Sequence, residues 1–174
     1  MNVEFLDMPL ELDKEVENSM EKTLLKDYWI SLVSREVSLQ GRRDVLSGKG
    51  KFGIFGDGKE IAQVALSHYI APGDFRSGYY RDQTIMFALG ICDVSQFFAQ
   101  MYADSDHDPF SGGRQMNCHF ATPFIDGQGD WLDHTTRYNV TSDVSCVEGQ
   151  VGSALGLAQG SNTVSYTQLR LPTT

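Results

Sequence analysis

Cys118 stands directly before His119, a thiol and an imidazole side by side in the chain. A nucleophilic cysteine needs a base within hydrogen-bond reach. Neighbouring residues seldom point at each other, so a structural role is the better reading of Cys118. Cys92, Cys118 and Cys146 are widely spaced and include no C-x-x-C pair. An odd count without a secretory leader reads as reduced thiols, and all three read as small buried hydrophobes. His68, His107 and His134 fall at no metal-ligand spacing, so neither zinc nor any other metal set is expected from them.

Two glycine motifs suggest phosphate chemistry but lack its context. Gly48, Gly50 and Gly53 spell G-x-G-x-x-G. A dinucleotide site needs those glycines between a strand and a helix, whereas here a long helical pattern precedes them. They read as a flexible helix exit. Gly53 to Glu60 nearly spells a P-loop, yet position 60 is Glu where a Ser or Thr hydroxyl should meet Mg²⁺. Asp57 would also set a carboxylate where phosphate oxygens belong.

The elements that must position any site are mainly helical. Residues 1–18 read as an acidic arm. From Ser19 to Val45, Leu25, Trp29, Leu32 and Val33 recur at helical spacing, with Glu21, Lys22, Lys26 and Arg35 for an outer face. Ser47, Gly48 and Gly50 end that helix. Asp57 and Glu60 suggest a capping box for a second helix to Tyr69, and Asp93 with Gln96 suggests another for a helix to about Tyr102. Residues 75–80 predict a short strand and residues 81–89 a further helix. Residues 104–145 are rich in Gly, Asp, Thr and Pro, with one short strand near 138–141. A loop of this length is typically either functional or disordered, and Met116, Phe120, Phe124 and Trp131 argue against simple disorder. It is expected to lie on a partner surface. Residues 146–159 predict a last helix of small residues. Such a chain is α/β, able to begin a layered sheet but not to complete one.

The totals narrow the function classes. A net charge of -9 argues against a nucleic-acid partner, and Arg42 with Arg43 is too sparse to form a basic stripe. No apolar run reaches the roughly 20 residues of a membrane span. The acidic start lacks the features of a signal peptide, which makes a cytoplasmic location the default expectation.

Three segments occur in an informative order: G-Y-Y-R-D at 78–82, G-G-R-Q-M-N-C-H-F at 112–120, and S-D-V-S-C-V-E-G-Q at 142–150. Together they resemble the α-type region of thiamine-diphosphate-dependent 2-oxoacid dehydrogenase E1 components, with a lean to the branched-chain type from G-R-Q-M-x-x-H. The likeness runs from about Tyr28 to Gly160. It implies an incomplete transketolase-like, thiamine-diphosphate-binding fold over residues 19–160. It also implies decarboxylation of a 2-oxoacid, with transfer of the acyl group to the lipoyl arm of an E2 acyltransferase. Arg81 matches the arginine that meets the cofactor's diphosphate, where a guanidinium suits phosphate oxygens, and Tyr80 matches the aromatic beside it. Ser145 and Val147 match the segment beneath the cofactor, although Val147 is smaller than the family's bulky residue. His119 matches a histidine on the active-site side, with an implied role in orienting substrate or moving a proton. Gln150 matches a glutamine near a structural cation in some members, but Glu148 and Gly149 depart from that pattern.

The same likeness sets expectations for what lies elsewhere. Gly56-Asp57-Gly58 resembles the family's Mg²⁺ motif, but no Asn follows at the right distance, so it reads as a turn and cap. The Mg²⁺ ligands and the E1 β-type half are expected off this chain. Residues 161–174 do not resemble the family and read as a non-native tail, which makes the chain a fragment that is inactive alone. A different reading is a complete non-catalytic interaction module that binds through residues 104–145.

Overall fold

The computed structural model describes residues 20–170, with side chains through residue 163. The acidic arm therefore lies outside the described residues. Helix α1 spans Met20–Leu46, α2 Glu60–Ser67, α3 Gln83–Ala88, α4 Val94–Met101 and α5 Gly149–Arg170. Strands β1 (Phe75–Arg76) and β2 (Asn139–Val140) pair in parallel, Phe75 opposite Asn139 and Arg76 opposite Val140. A further parallel bridge joins Tyr79 to Val144. The described chain is a small mixed α/β unit, mostly helical with two parallel strands.

The buried stripe of α1 differs from the one its apolar residues predict. Leu25 and Leu32 are exposed, and the inward positions are Ile30, Val33, Ser34, Val37, Ser38, Gly41 and Asp44. These recur at the three- and four-residue steps of one helical face, but three of the seven are polar. The two serines can be buried because α3 supplies their hydrogen bonds, and Asp44 because Gln40 and Tyr102 donate to it. Ser34 Oγ lies 2.6 Å from Thr84 Oγ1, and Gln83 Nε2 donates to Ser34 O and to Ser38 Oγ, both at 3.0 Å. Gly41 is needed for close approach: a Cβ there would sit 2.2 Å from the Phe55 ring. Arg35, expected on the outer face, instead reaches Glu60 through a two-point contact of 2.6 and 3.0 Å.

That ion pair also overturns the first capping box. Glu60 is buried, bound by Arg35 and by the Gly58 N–H at 2.9 Å, and Lys59 caps α2 without a side-chain bond. Asp57 points to Arg42 instead, accepting at 2.6 and 2.7 Å. Burial pushes the Glu60 carboxyl up, but Arg35 and the local backbone N–H groups together hold it below its ordinary value. The second capping box forms: Asp93 accepts from Gln96 N, and Gln96 returns the bond to Asp93 N.

Residues 104–145 are not simply a surface loop awaiting a partner. Their middle is built into the core, where Cys118 and Phe120 are fully buried with Phe97 and Met86. Burying each such large side chain contributes roughly 1.5–3 kcal/mol. Asn117 holds the segment to residue 54, accepting from Ile54 N at 3.0 Å and donating to Ile54 O at 2.6 Å. Gln100 on α4 donates to His119 O at 2.6 Å. By contrast Trp131 and Ile125, bridged in a small hairpin, are exposed. Helix α5 begins at Gly149 rather than Cys146 and continues without a break past Gly160. Val151 and Leu155 on it are exposed.

Candidate functional site

The Tyr80-Arg81 segment turns from β1 into α3, and several groups fix its path. Asp82 N donates to Tyr79 O at 3.0 Å, closing the turn. Asp82 Oδ2 accepts from Tyr79 N at 2.9 Å and from Arg76 Nη2 at 2.7 Å. Gln63 on α2 donates to Arg81 O at 2.9 Å. Gly56 lies against the same carbonyl, so closely that a Cβ there would be 2.3 Å away. Gly56 N is in turn held by Gln83 Oε1 at 2.9 Å.

Arg76 ties this wall to the one carrying Ser145. Its Nη1 donates to both carboxylate oxygens of Asp143 at 3.2 Å, and Asp143 also accepts from Phe120 N. The Asp143 side chain is fully enclosed and that of Arg76 nearly so. Burial pushes the Asp143 carboxyl above its ordinary value, with Arg76 and the Phe120 N–H pulling the other way. One guanidinium therefore sets the spacing between two chain segments 67 residues apart.

Tyr80, Arg81 and Ser145 line a single open cavity of about 630 Å³, together with Arg42, Val45 and Leu46 of α1, the strip from Phe52 to Phe55, and Met116. Arg81 donates through Nη1 to Phe55 O at 3.2 Å, and its guanidinium carbon lies 5.7 Å from the centre of the Tyr80 ring. That contact engages one nitrogen, and the guanidinium also interacts with the Tyr80 hydroxyl. The Tyr79 and Tyr80 rings are 3.9 Å apart. The hydrogen bond from Tyr79, then Arg81, lowers the Tyr80 hydroxyl's pKa, while the same hydrogen bond and burial raise that of Tyr79.

His119 is buried behind the cavity wall, and its Nε2 lies 2.6 Å from Ser145 Oγ. Its Nδ1 faces the carbonyl of Asn117 at 3.2 Å. A carbonyl only accepts, so in the neutral ring Nδ1 carries the proton and Nε2 receives the Ser145 hydroxyl hydrogen. His119 therefore reaches the cavity only through Ser145.

Of the residues that the resemblance singles out, the fold brings Tyr80, Arg81 and Ser145 to one cavity and His119 against Ser145. Val147 is 70% exposed and is not on the cavity wall. Gln150 uses its backbone carbonyl to accept from Ser77 Oγ at 2.8 Å. The cysteines divide: Cys92 and Cys118 are buried, and burial pushes both thiols well above the ordinary range, whereas Cys146 is exposed. The expectation of three buried thiols fails for Cys146, and Cys118 is unsuited to nucleophilic work. Arg42 and Met116 escaped the sequence reading as cavity residues. Only the dibasic pair at 42–43 and the apolar position inside G-R-Q-M hinted at them. Among the described residues no three His, Cys, Asp or Glu side chains converge to hold a metal ion. No helix of the described residues is long and apolar enough to cross a membrane. Compared with known protein families, the chain matches no family model.

Proposed function

We propose that this chain is the α-type portion of a thiamine-diphosphate-dependent 2-oxoacid dehydrogenase E1 component and forms one wall of its cofactor site. The observation that carries the reading is the convergence of Tyr80, Arg81 and Ser145 on one cavity, with His119 bonded to Ser145. These residues lie up to 65 positions apart in the chain, yet the resemblance assigns all of them to the same site.

The residues present fit the cofactor in part. A cavity of about 630 Å³ falls within the ordinary range for organic ligands. Arg81 offers a guanidinium to a diphosphate, and Tyr80, Phe52 and Met116 offer ring and aliphatic surface. Mg²⁺ is assigned no ligand on this chain. When bound, thiamine diphosphate supplies the electron sink for decarboxylation of a 2-oxoacid. The chain's own residues orient and neutralise. Arg81 would balance phosphate charge, and the Ser145 hydroxyl would hold or relay a proton with His119 behind it. The E1 β-type half would close the cleft, and a lipoyl-bearing E2 would receive the acyl group. Branched-chain oxoacids and pyruvate both suit this reading.

Amide chemical-shift titration of the whole chain with thiamine diphosphate and Mg²⁺ tests it. Weak binding is expected, with shifts centred on Tyr80, Arg81 and Ser145 and lost in Arg81→Ala. Shifts confined elsewhere would sink the assignment, and submicromolar affinity would refute a one-walled site.

The exposed pair Trp131 and Ile125, at 77% and 48%, favours a second reading as an interaction module that docks through residues 104–145. That reading gains if thiamine diphosphate leaves the cavity amides unmoved.

A further inference from the structure

Arg42 projects from the last turns of α1 into the wall of the cavity that also holds Arg81. Neither the three sequence segments nor their family likeness gives it a role. Its guanidinium is used at one corner only. Nη2 donates to both oxygens of Asp57 at 2.6 and 2.7 Å, while Nη1 and Nε have no hydrogen bond among the described residues. The Arg42 side chain is half exposed and that of Asp57 about one-fifth. Arg81 likewise donates through one nitrogen to Phe55 O, with its guanidinium beside Tyr80.

Two guanidinium groups on one cavity wall are unfavourable unless something negative lies between or beside them. Asp57 meets part of that demand from the side. It engages Nη2 of Arg42 and leaves the Nε and Nη1 donors for charge-assisted hydrogen bonds to phosphate oxygens. A single phosphate needs only one of the two guanidinium groups. A ligand with two linked phosphates offers a separate anionic group to each of the two arginines that line the cavity.

We propose that Arg42 is a second anion-binding residue of this cavity and that, with Arg81, it selects diphosphates over monophosphates, with Asp57 as a built-in competitor that weakens the site. This deepens the proposed cofactor reading and rests on it for the identity of the natural ligand. Asp57 moderates affinity because its carboxylate already neutralises Arg42 and repels an incoming anion. The site should therefore be strongly sensitive to salt.

Inorganic pyrophosphate and inorganic phosphate serve as probes, titrated into the whole chain by amide chemical shifts at low ionic strength. Arg42→Gln should weaken pyrophosphate binding by about tenfold, the loss of one exposed charge-assisted contact. It should change phosphate binding by less than about twofold. Asp57→Asn should strengthen pyrophosphate binding by about three- to tenfold by removing the competing charge. Arg42 is half exposed and Asp57 partly exposed, and neither belongs to the hydrophobic core; thermal unfolding of each variant checks that the fold survives. If Arg42→Gln leaves pyrophosphate affinity intact while Arg81→Gln weakens it, the Arg42 proposal is overturned and the cofactor reading stands. If Arg81→Gln also has no effect, or pyrophosphate does not bind, both fail.

Discussion

Replacing Arg76 by Met should destabilise the protein far more than a surface arginine would. Arg76 makes contacts on three sides: Asp143 through Nη1, and Asp82 and Tyr79 O through Nη2. Asp143 is the costly partner because its side chain is completely enclosed. Without Arg76, its carboxylate keeps only the backbone N–H of Phe120 at 3.2 Å. Removing one member of a buried ion pair costs about 3–5 kcal/mol, against a total of about 5–15 kcal/mol for an ordinary domain. The partly exposed Asp82 contact adds about 1 kcal/mol at most. Urea unfolding followed by fluorescence of Trp29 and Trp131 should show the midpoint falling by about 2 M. The pH dependence has a definite sign. Burial already raises the Asp143 carboxyl above its ordinary value, and removing Arg76 raises it further. A carboxyl whose folded pKa is raised is penalised only when ionised, so the deficit relative to wild type is full above that folded pKa and shrinks as pH falls through it. Arg76→Met should therefore lose less at pH 5 than at pH 7. Asp143→Asn, added to Arg76→Met, removes the orphaned charge and should restore at least half of the loss. If Arg76→Met unfolds within about 1 kcal/mol of wild type, or Asp143→Asn deepens the loss, the reasoning is wrong. Failure to fold would leave the rescue by Asp143→Asn as the deciding observation.

Other consequences follow from the same packing. Tyr102 donates its hydroxyl to Asp44 Oδ2, with burial first and then that bond pushing the phenol up to about 12, so spectrophotometric titration should find one tyrosine ionising there. Stability from this phenol should persist below its unfolded value of 10.0 and be lost as pH rises through 12. Asp44 is shifted the opposite way, chiefly by Tyr102, so its contribution is present above its unfolded value of 3.8 and lost as pH falls below that. Tyr102→Phe should cost about 1–2 kcal/mol in chemical denaturation at pH 7. A disulfide-exchange reagent should modify Cys146 quickly in the native protein and reach Cys92 and Cys118 only on unfolding; rapid modification of all three would contradict the buried thiols. Gly56→Ala should force the Arg81 backbone aside, costing about 1–3 kcal/mol and weakening anion binding in the cavity, read by thermal shift and pyrophosphate titration.

Features set by a few neighbouring residues could be read directly from the chain. The extent of α1, the positions of α2 to α4, the Asp93–Gln96 capping box and the two short strands all depend on local spacing, turn residues and caps. The gathering of Tyr80, Arg81 and Ser145 is decided by the fold, because nothing in their own spacing requires them to meet. Long-range competition decided the rest. Asp57 and Glu60 carry a sound local signal for a cap, yet Arg42 and Arg35 each offer a cationic partner, and those ion pairs win over a carboxylate bond to a neutral N–H. Ser34, Ser38 and Gln83 look like surface residues in sequence but form the inner seam between α1 and α3, because each finds its partner there. Residues 117–120 look like open loop and are core, held by Asn117, Gln100 and Asp143 from three directions. Arg76, the hinge of the whole arrangement, drew no notice in the chain because its importance comes from burial between Asp82 and the distant Asp143. A hydrogen bond between residues tens of positions apart leaves no periodicity behind, so only the folded chain can reveal it.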